Sequence, residues 1–208
     1  MKKYILLFLC LTNLAIISQP SNIKNVIKTS LSSVVLINTD FGLGSGVIIT
    51  LDGYILTNFH VIEQALQSKT SIKVTTHNKD EYYAQIVNYD DDLDLCLLKT
   101  PYLSNETSFV IVKPDSINVG DDIICIGNPL GISEYVTKGI VSKYTTPYVF
   151  ISANINPGNS GGAMINLSGE LVGIPTLTLT NTQNINMAIC PRTIRYFLKK
   201  NKINFKEK

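Results

Sequence analysis

The chain has 208 residues, of which 45% are hydrophobic and 16% charged, and its 18 basic and 16 acidic side chains give a formal net charge of +2. This length and composition fit one globular domain, or two very small ones, and argue against disorder along the whole chain. The small net charge leaves no basic surface of the size that nucleic-acid binding needs, so no nucleic-acid partner is predicted.

The first 22 residues have the layout of a secretory signal. Lys2 and Lys3 precede an apolar run from Tyr4 to Leu11, and weaker apolar character continues to Ser18. The run is short for a membrane span, but no A-x-A cleavage pattern occurs near Ser18, so an uncleaved anchor stays open. We therefore predict a signal peptide or N-terminal anchor over 1–22, and an extracytoplasmic protein that is periplasmic, secreted or attached to the membrane by its N-terminus.

Short apolar runs rich in Val, Ile and Tyr follow one another from Ser33 onward, separated by Gly, Asn, Asp and Pro. Closely spaced short strands without helices between them predict an all-β antiparallel sandwich or barrel. The predicted strands are 33–38, 45–50, 54–57, 72–76, 82–89, 95–99, 122–126, 136–143, 148–152, 162–167, 170–180 and 186–189.

Two helical segments interrupt this pattern. The first is predicted to run for one or two turns after Asn58. The second begins at Pro191, a residue favoured at the first helical position, and spaces Ile194, Phe197 and Leu198 along one face. The lysines at its end are predicted to be solvated, where they suit the C-terminal end of the helix dipole.

Three cysteines remain once Cys10 in the leader is set aside: Cys96, Cys125 and Cys190. Each lies in an apolar run, their number is odd, and no CxxC spacing occurs. They are predicted to be buried free thiols rather than a disulfide framework. No metal or cofactor is predicted.

A glycine-rich heptapeptide, Asn156–Gly162, surrounds one hydroxyl with three glycines, a proline and two asparagines. Glycine permits positive φ and a close approach of the backbone. The turn can therefore expose Ser160 Oγ and direct the N–H groups of Gly158 and Ser160 at one point, which suits an oxyanion. The same residue types form ordinary polar β-turns, and the heptapeptide alone leaves both interpretations open.

A serine nucleophile needs a base, usually a histidine held by a carboxylate. His60 follows a strand-like run where a short helix starts, and a structural role is its alternative. His77 lies in a polar turn and is predicted to be solvated. The G-x-S-x-G pattern at 158–162 also fits α/β-hydrolases, but those place the histidine after the serine, whereas both histidines here precede Ser160. The order histidine, aspartate, serine is that of the chymotrypsin arrangement.

The candidate carboxylates lie between His60 and Ser160. Asp90, Asp91 and Asp92 stand in a row and are predicted to form a solvated turn. Asp94 opens an apolar strand and is placed to be drawn inward, where a carboxylate needs a partner such as an imidazolium. We therefore choose Asp94.

Several spaced motifs together closely resemble those of HtrA/DegP-type trypsin-like serine proteases, from about Ser33 to Phe197. Their order along the chain is far more specific than any single motif. The motifs are GSGVII at 44–49, DGYILTNFHV at 52–61, DLCLLK at 94–99, VGD at 119–121 with IGNPLG at 126–131, TKGIVS at 137–142 and INPGNSGG at 155–162.

The resemblance implies a trypsin-like serine protease domain over 23–208, with a chymotrypsin/trypsin-like double six-stranded β-barrel and a C-terminal helix. It implies His60 as base, Asp94 as the group that orients it, Ser160 as nucleophile, and an oxyanion hole from the N–H groups of Gly158 and Ser160. It further implies a serine endopeptidase that cuts unfolded or misfolded polypeptides after small aliphatic residues, in extracytoplasmic protein quality control.

The substrate pocket is predicted partly by this resemblance and partly by its departures. Ile155 and Leu179 match positions that line the pocket for the residue before the scissile bond. Asn154 stands six residues before the nucleophile, where a trypsin-like pocket carries a carboxylate, so cleavage after Lys or Arg is not expected. Phe59, before the histidine, and Ser152 also depart from the family pattern and bear on pocket shape.

No C-terminal PDZ domain is expected, so PDZ-dependent sensing and cage assembly are not carried over, and a homotrimer stays open. Two other functions were weighed. A catalytically silent, chaperone-like binding protein would keep the barrels, but it has no evident reason to retain His60, Asp94 and Ser160 together. A structural or adhesion domain has little beyond the leader to support it.

Overall fold

The computed structural model describes residues 23–101, 103, 111–112, 117–128, 134–178 and 185–205. Within them lie three helices and thirteen strands. The predicted leader over 1–22 and the predicted pocket residue Leu179 lie outside the described residues. None of the described helices combines the length and the apolar character that a membrane span requires.

The first barrel closes from six antiparallel strands, in the order β1-β2-β3-β6-β5-β4. Its strands are β1 Val34–Thr39, β2 Gly42–Ile48, β3 Tyr54–Thr57, β4 Ile72–Thr75, β5 Glu81–Asp90 and β6 Leu95–Lys99. Strands that are consecutive along the chain are joined by short connections, except that α2, Phe59–Ser68, lies between β3 and β4.

The second barrel is a ring of six antiparallel strands in the order β11-β8-β9-β10-β13-β12, closed by pairing between β11 and β12. A two-residue strand, β7, adds to it in parallel with β12. The bounds are β7 Ile111–Val112, β8 Asp122–Gly127, β9 Tyr135–Tyr144, β10 Tyr148–Ile151, β11 Ala163–Ile165, β12 Glu170–Thr178 and β13 Asn186–Ile189. The predicted double six-stranded β-barrel is confirmed, and β7 is the described strand that the sequence pattern did not indicate.

Apolar strands that are buried on both faces join the two barrels. In β6, Cys96 and Leu98 belong to the cluster that fills the first barrel, whereas Leu95 and Leu97 face a second cluster shared with the other barrel. Strands covered on both sides are expected to be continuously hydrophobic. The shared cluster fixes how the barrels sit together, and so determines which loops meet between them.

Three helices cover the barrels. α2 spans Phe59–Ser68, longer than the one or two turns predicted, because Ile62 and Ala65 are buried against the first barrel. α3 spans Pro191–Lys200 with proline in its first turn, as predicted. α1, Ile23–Leu31, was not predicted, although its apolar residues recur at helical spacing and pack on the shared cluster.

The three cysteines of the described residues are buried and free, which confirms the prediction of free thiols. Burial raises the pKa of Cys96 to about 12. Burial likewise raises the pKa of Cys125 to about 12, against a smaller lowering effect of a hydrogen bond with Thr137. Both thiols are therefore protonated, and poorly reactive, at neutral pH.

Candidate active site

The heptapeptide forms a tight turn that projects Ser160 toward the first barrel. Asn159 N donates to the Asn156 carbonyl at 2.9 Å, and Gly158 has φ +102°. Proline at the second position and a positive-φ glycine at the third are the residues that a type II turn requires. The local sequence is therefore sufficient to specify the backbone on which Ser160 stands.

Two N–H groups of this turn have no backbone acceptor among the described residues. Among the described residues, neither Gly158 N nor Ser160 N donates a backbone hydrogen bond, and both residues line the cleft described below. The peptide between Gly158 and Asn159 is held at both ends, because its N–H binds Asn156 and its carbonyl accepts from Ser45 Oγ at 2.7 Å. N–H donors on residues that line a cleft are the kind of group that can stabilise an oxyanion.

The heptapeptide Asn156–Gly162, here called the nucleophile loop, contacts the first barrel directly. Ser45 N donates to the Ser160 carbonyl at 2.9 Å. Gly161 has φ +82°, and a Cβ built on it would lie 2.3 Å from both the Ser45 carbonyl oxygen and Thr57 Oγ1. Only glycine fits this contact, which brings Ser160 of the second barrel next to α2 of the first.

His60 and Asp94 form a close pair on the first barrel. His60 Nδ1 lies 2.9 Å from Asp94 Oδ2 and 3.0 Å from Oδ1, and His60 N donates to Oδ1 at 3.0 Å. The histidine side chain is 41% exposed and that of the aspartate 16%. One carboxylate therefore binds both the ring and the backbone of the same histidine, which limits how the ring can turn.

The Asp94 turn and the start of α2 are built as one unit. Asp94 has φ +53°, and its carbonyl accepts from Asn58 Nδ2 at 3.0 Å and from Phe59 N at 3.2 Å. Asn58 makes no side-chain cap of α2, and the Asp94 carboxylate instead accepts an N–H of the first turn. A carboxylate at a helix N-terminus is stabilised by the unpaired N–H groups there.

Thr176, on β12, contacts both Asp94 and Ser160, and the sequence did not predict this role. Its hydroxyl donates to Asp94 Oδ2, and its carbonyl accepts from Ser160 Oγ at 3.0 Å. Thr176 therefore contacts both the Asp94 carboxylate and the Ser160 hydroxyl. A threonine within a strand carries no local signal of such a role, because the contact arises only when the second barrel closes.

Tyr148, on β10, also belongs to this region. Burial raises the pKa of Tyr148, and the negative charge of Asp94 raises it further. The Asp94 side chain is itself largely removed from solvent, whereas Asp91 is exposed.

The predicted pocket residues separate into two environments. Ile155 is buried among the apolar residues of the second barrel and also lines the cleft. Asn154 is exposed, and its carbonyl accepts from Thr137 Oγ1 at 3.1 Å. Phe59 is one of the departures from the family pattern, and its ring stacks on that of Tyr89 with the ring centroids 4.8 Å apart.

The remaining candidates are also placed. His77 lies in the turn before β5, but it is half-buried and its Nδ1 is 2.6 Å from Glu134 Oε1, so the expectation of a simply solvated residue was incomplete. The carboxylates of Asp90, Asp91 and Asp92 lie within 4.8 Å of one another. Asp91 and Asp92 are exposed in a turn, as predicted, whereas Asp90 is half-buried and pairs with Lys200 at 3.3 Å.

A cleft of about 500 Å³ lies between the two barrels. His60 and Ser160 both line it, together with Gly158 and Thr176. A hydroxyl, an imidazole paired with a carboxylate, and two residues whose N–H groups have no backbone acceptor in the described part of the chain thus line one space or adjoin it. These are the groups that nucleophilic acyl transfer requires.

The chain belongs to the trypsin-like peptidase family. The family model for the trypsin-like peptidase domain matches residues 44–174. A crystal structure of a serine endoprotease from Yersinia pestis superposes with a TM-score of 0.79 at 33% identity, covering 88% of this chain and 67% of that one.

Relatives within the family bear HtrA/DegP-type names, which confirms the resemblance stated from the motifs. The chain is 40% identical over 148 residues to the periplasmic pH-dependent serine endoprotease DegQ of Escherichia coli, covering 66% of this chain and 32% of DegQ. It is 38% identical over 176 residues to the serine endoprotease DegS of Haemophilus influenzae, covering 78% of this chain and 50% of DegS. The chain therefore spans from about a third to half of the length of these relatives.

Proposed function

We propose that this chain is a serine endopeptidase that hydrolyses peptide bonds through His60, Asp94 and Ser160. The observation that carries the proposal is the pair formed by His60 Nδ1 and the Asp94 carboxylate at 2.9 Å, with His60 lining the same cleft as Ser160 and Gly158. The N–H groups of these last two residues have no backbone acceptor among the described residues. Relatives named serine endoproteases support it.

In the proposed reaction each of these residues has one role. Ser160 Oγ attacks the carbonyl carbon of the substrate while His60 Nε2 takes its proton. Asp94 keeps the other ring proton on Nδ1 and stabilises the imidazolium that forms. The oxyanion lies against Gly158 N and Ser160 N, and the departing amine takes the proton back from His60. Water then hydrolyses the acyl-enzyme by the same route, which regenerates Ser160.

Thr176 is a positioning residue in this scheme. Its hydroxyl donates to Asp94 Oδ2, and its carbonyl accepts from Ser160 Oγ at 3.0 Å. Attack therefore requires rotation of the Ser160 side chain, a change between staggered rotamers.

We further propose that the residue before the scissile bond is small and aliphatic. Ile155 offers apolar contact, and Asn154 is uncharged where a carboxylate would be needed to receive Lys or Arg. Burying a cation without a partner costs several kcal/mol, whereas a Val or Ala side chain gains roughly 25 cal/mol for each Å² removed from water. Mass-spectrometric mapping of fragments from a reduced, denatured protein should show cuts after Val and Ala, and a majority after basic residues would refute this pocket.

The location and substrates belong to the same proposal. Residues 1–22 would direct the chain out of the cytoplasm, and relatives described as periplasmic favour that location. A cleft between the two barrels suits extended, unfolded polypeptides. Fractionation of cells with an antibody against the chain, before and after alkaline extraction, distinguishes secretion from attachment to the membrane.

The decisive experiment is labelling of the purified chain with a fluorophosphonate probe, beside Ser160→Ala. We expect the wild type to be labelled and to digest unfolded casein, and the variant to do neither while keeping its fold by circular dichroism. Absence of labelling in the folded wild type would instead support a catalytically silent, chaperone-like protein.

A further inference from the structure

The cleft has two ends built from different barrels. One end is formed by the nucleophile loop and β12, including Ile155 and Thr176. The opposite end is formed by the hairpin between β1 and β2, with Phe41 and Leu43, and by α2, with Gln64. The first end carries the oxyanion donors and the predicted pocket, but the second has no part in the function proposed so far.

The second end displays two large apolar side chains to solvent. Phe41 is 49% exposed and Leu43 41% exposed, and both line the cleft. Exposed apolar residues are common singly, but two that flank a concave site indicate a binding surface. Among the described residues that line the cleft there is no Lys, Arg, Asp or Glu.

The hairpin is a firm support for these side chains. Thr39 Oγ1 donates to the Gly42 carbonyl at 3.1 Å and accepts from Phe41 N at 3.3 Å, which ties the turn across its base. Gly44 lies so close to α2 that a Cβ on it would be 2.5 Å from Val61 Cγ1. The hairpin that carries Phe41 and Leu43, here called the hairpin wall, is therefore fixed relative to the helix that carries His60. Binding of a ligand then requires little further ordering of the protein.

The proposed reaction determines which half of a substrate contacts the hairpin wall. The acyl half stays over Gly158 and Ser160, because their N–H groups bind its carbonyl oxygen. The amine half departs toward His60, which must supply its proton. Gln64 follows His60 by one helical turn and lines the same end, so the amine half passes between α2 and the hairpin.

We propose that Phe41 and Leu43 form a subsite that selects substrates with a large apolar side chain in the first two residues after the scissile bond. The inference rests on the proposed peptidase function and adds a second selected position to it. Together with the pocket near Ile155, it makes the preferred substrate a stretch that is apolar on both sides of the cleaved bond. Such stretches are buried in folded proteins and exposed in unfolded ones.

The test uses two kinds of substrate with the same acyl half ending in Val. One is a quenched fluorescent peptide with Leu in the first two positions after the bond, or with Gly or Asp there. The other is a para-nitroanilide, which has no amino-acid residue after the bond. The quantity measured is the ratio of kcat/KM for the peptide to kcat/KM for the anilide.

In the wild type, the ratio for the Leu peptide should exceed the ratios for the Gly and Asp peptides by about tenfold, the size of effect that one apolar group has in a hydrophobic site. Phe41→Ala and Leu43→Ala should each reduce this preference, and the double variant should bring it to about twofold or less. Leu51→Ala is the matched control, because Leu51 is 53% exposed in the same barrel but does not line the cleft.

The outcomes are distinguishable. If the chain is not a peptidase, neither substrate is cleaved and the fluorophosphonate probe does not react. If it is a peptidase without this subsite, both substrates are cleaved and the preference for Leu is absent, or survives in the double variant. Because the anilide is measured on the same preparation, a variant that folds poorly lowers both rates and leaves the ratio interpretable.

Discussion

The substitution Asp94→Asn replaces one carboxylate oxygen by an NH₂ group that only donates hydrogen bonds. In the native site Oδ1 accepts from His60 N at 3.0 Å, while Oδ2 lies 2.9 Å from His60 Nδ1 and accepts from Thr176 Oγ1. An asparagine that keeps the first bond must turn its NH₂ group toward Nδ1. His60 can accept that bond only with its own proton on Nε2, the atom that has to receive the proton of Ser160.

The variant should therefore fold but hold its base in the wrong tautomer. In the serine-protease triad the same change lowers kcat about 10⁴-fold, which corresponds to about 5 kcal/mol in the activation free energy. We expect a loss of that size in kcat/KM for a peptide substrate. The midpoint of urea unfolding should be close to that of the wild type, because the side-chain volume is unchanged.

Asp91→Asn is the control within the same turn. Asp91 is exposed, and its Oδ1 accepts from Asp92 N at 3.2 Å, a bond that an amide oxygen also makes. Its activity should stay within about twofold of the wild type, as is usual for exposed positions away from a site. A loss of less than about tenfold at Asp94, or equal losses at the two positions, would refute the choice of carboxylate.

Three further predictions concern the supports of the site. Thr176→Val should keep the fold but lower kcat/KM by about 10- to 100-fold, since a hydrogen bond to a charged group contributes about 1.5–3 kcal/mol; an unchanged rate would exclude the positioning role. Gly161→Ala should lower the free energy of unfolding by about 2–5 kcal/mol, through positive φ and overpacking, whereas Gly42→Ala, with nothing within 4 Å of the added Cβ, should change it little; chemical denaturation of both variants checks this. Cys96 and Cys125 should react with a thiol reagent at pH 8 only after unfolding, because burial raises their pKa to about 12. Since the unfolded thiols ionise near their ordinary pKa of 9.0, the stability that these groups contribute is complete below that pH and is lost as the pH rises toward about 12. Fast labelling of the native protein, or a stability that does not change at alkaline pH, would contradict this prediction.

The parts of the site that could be predicted each have a local cause. The φ preferences of Pro157 and Gly158 specify the turn before Ser160 without contributions from distant residues. Asp94 could be separated from Asp91 because only the former adjoins a run that had to be buried. Chemistry that depends on a special backbone conformation leaves a trace in neighbouring residues.

The parts that could not be predicted depend on contacts between distant segments. Thr176 and Ser45 are ordinary strand residues until the barrels close and bring them to Asp94 and Gly158. The length of α2 was underestimated for a related reason, since its last turns are stabilised by burial on the first barrel rather than by propensity. β7 has two residues, too few for any periodicity to indicate.

The division of the site between the barrels has a physical consequence. His60 and Asp94 belong to the first barrel, whereas Ser160 and the two N–H donors belong to the second. Ser45, fully buried in β2, receives Asn128 N at 2.8 Å and donates to the Gly158 carbonyl at 2.7 Å, so one hydroxyl of the first barrel ties two loops of the second. A small displacement of one barrel would leave most core contacts intact while it unpairs that hydroxyl and separates base from nucleophile. Activity should therefore respond to barrel docking before overall stability does, because positioning errors near 1 Å are costly in catalysis and small in the free energy of a large core.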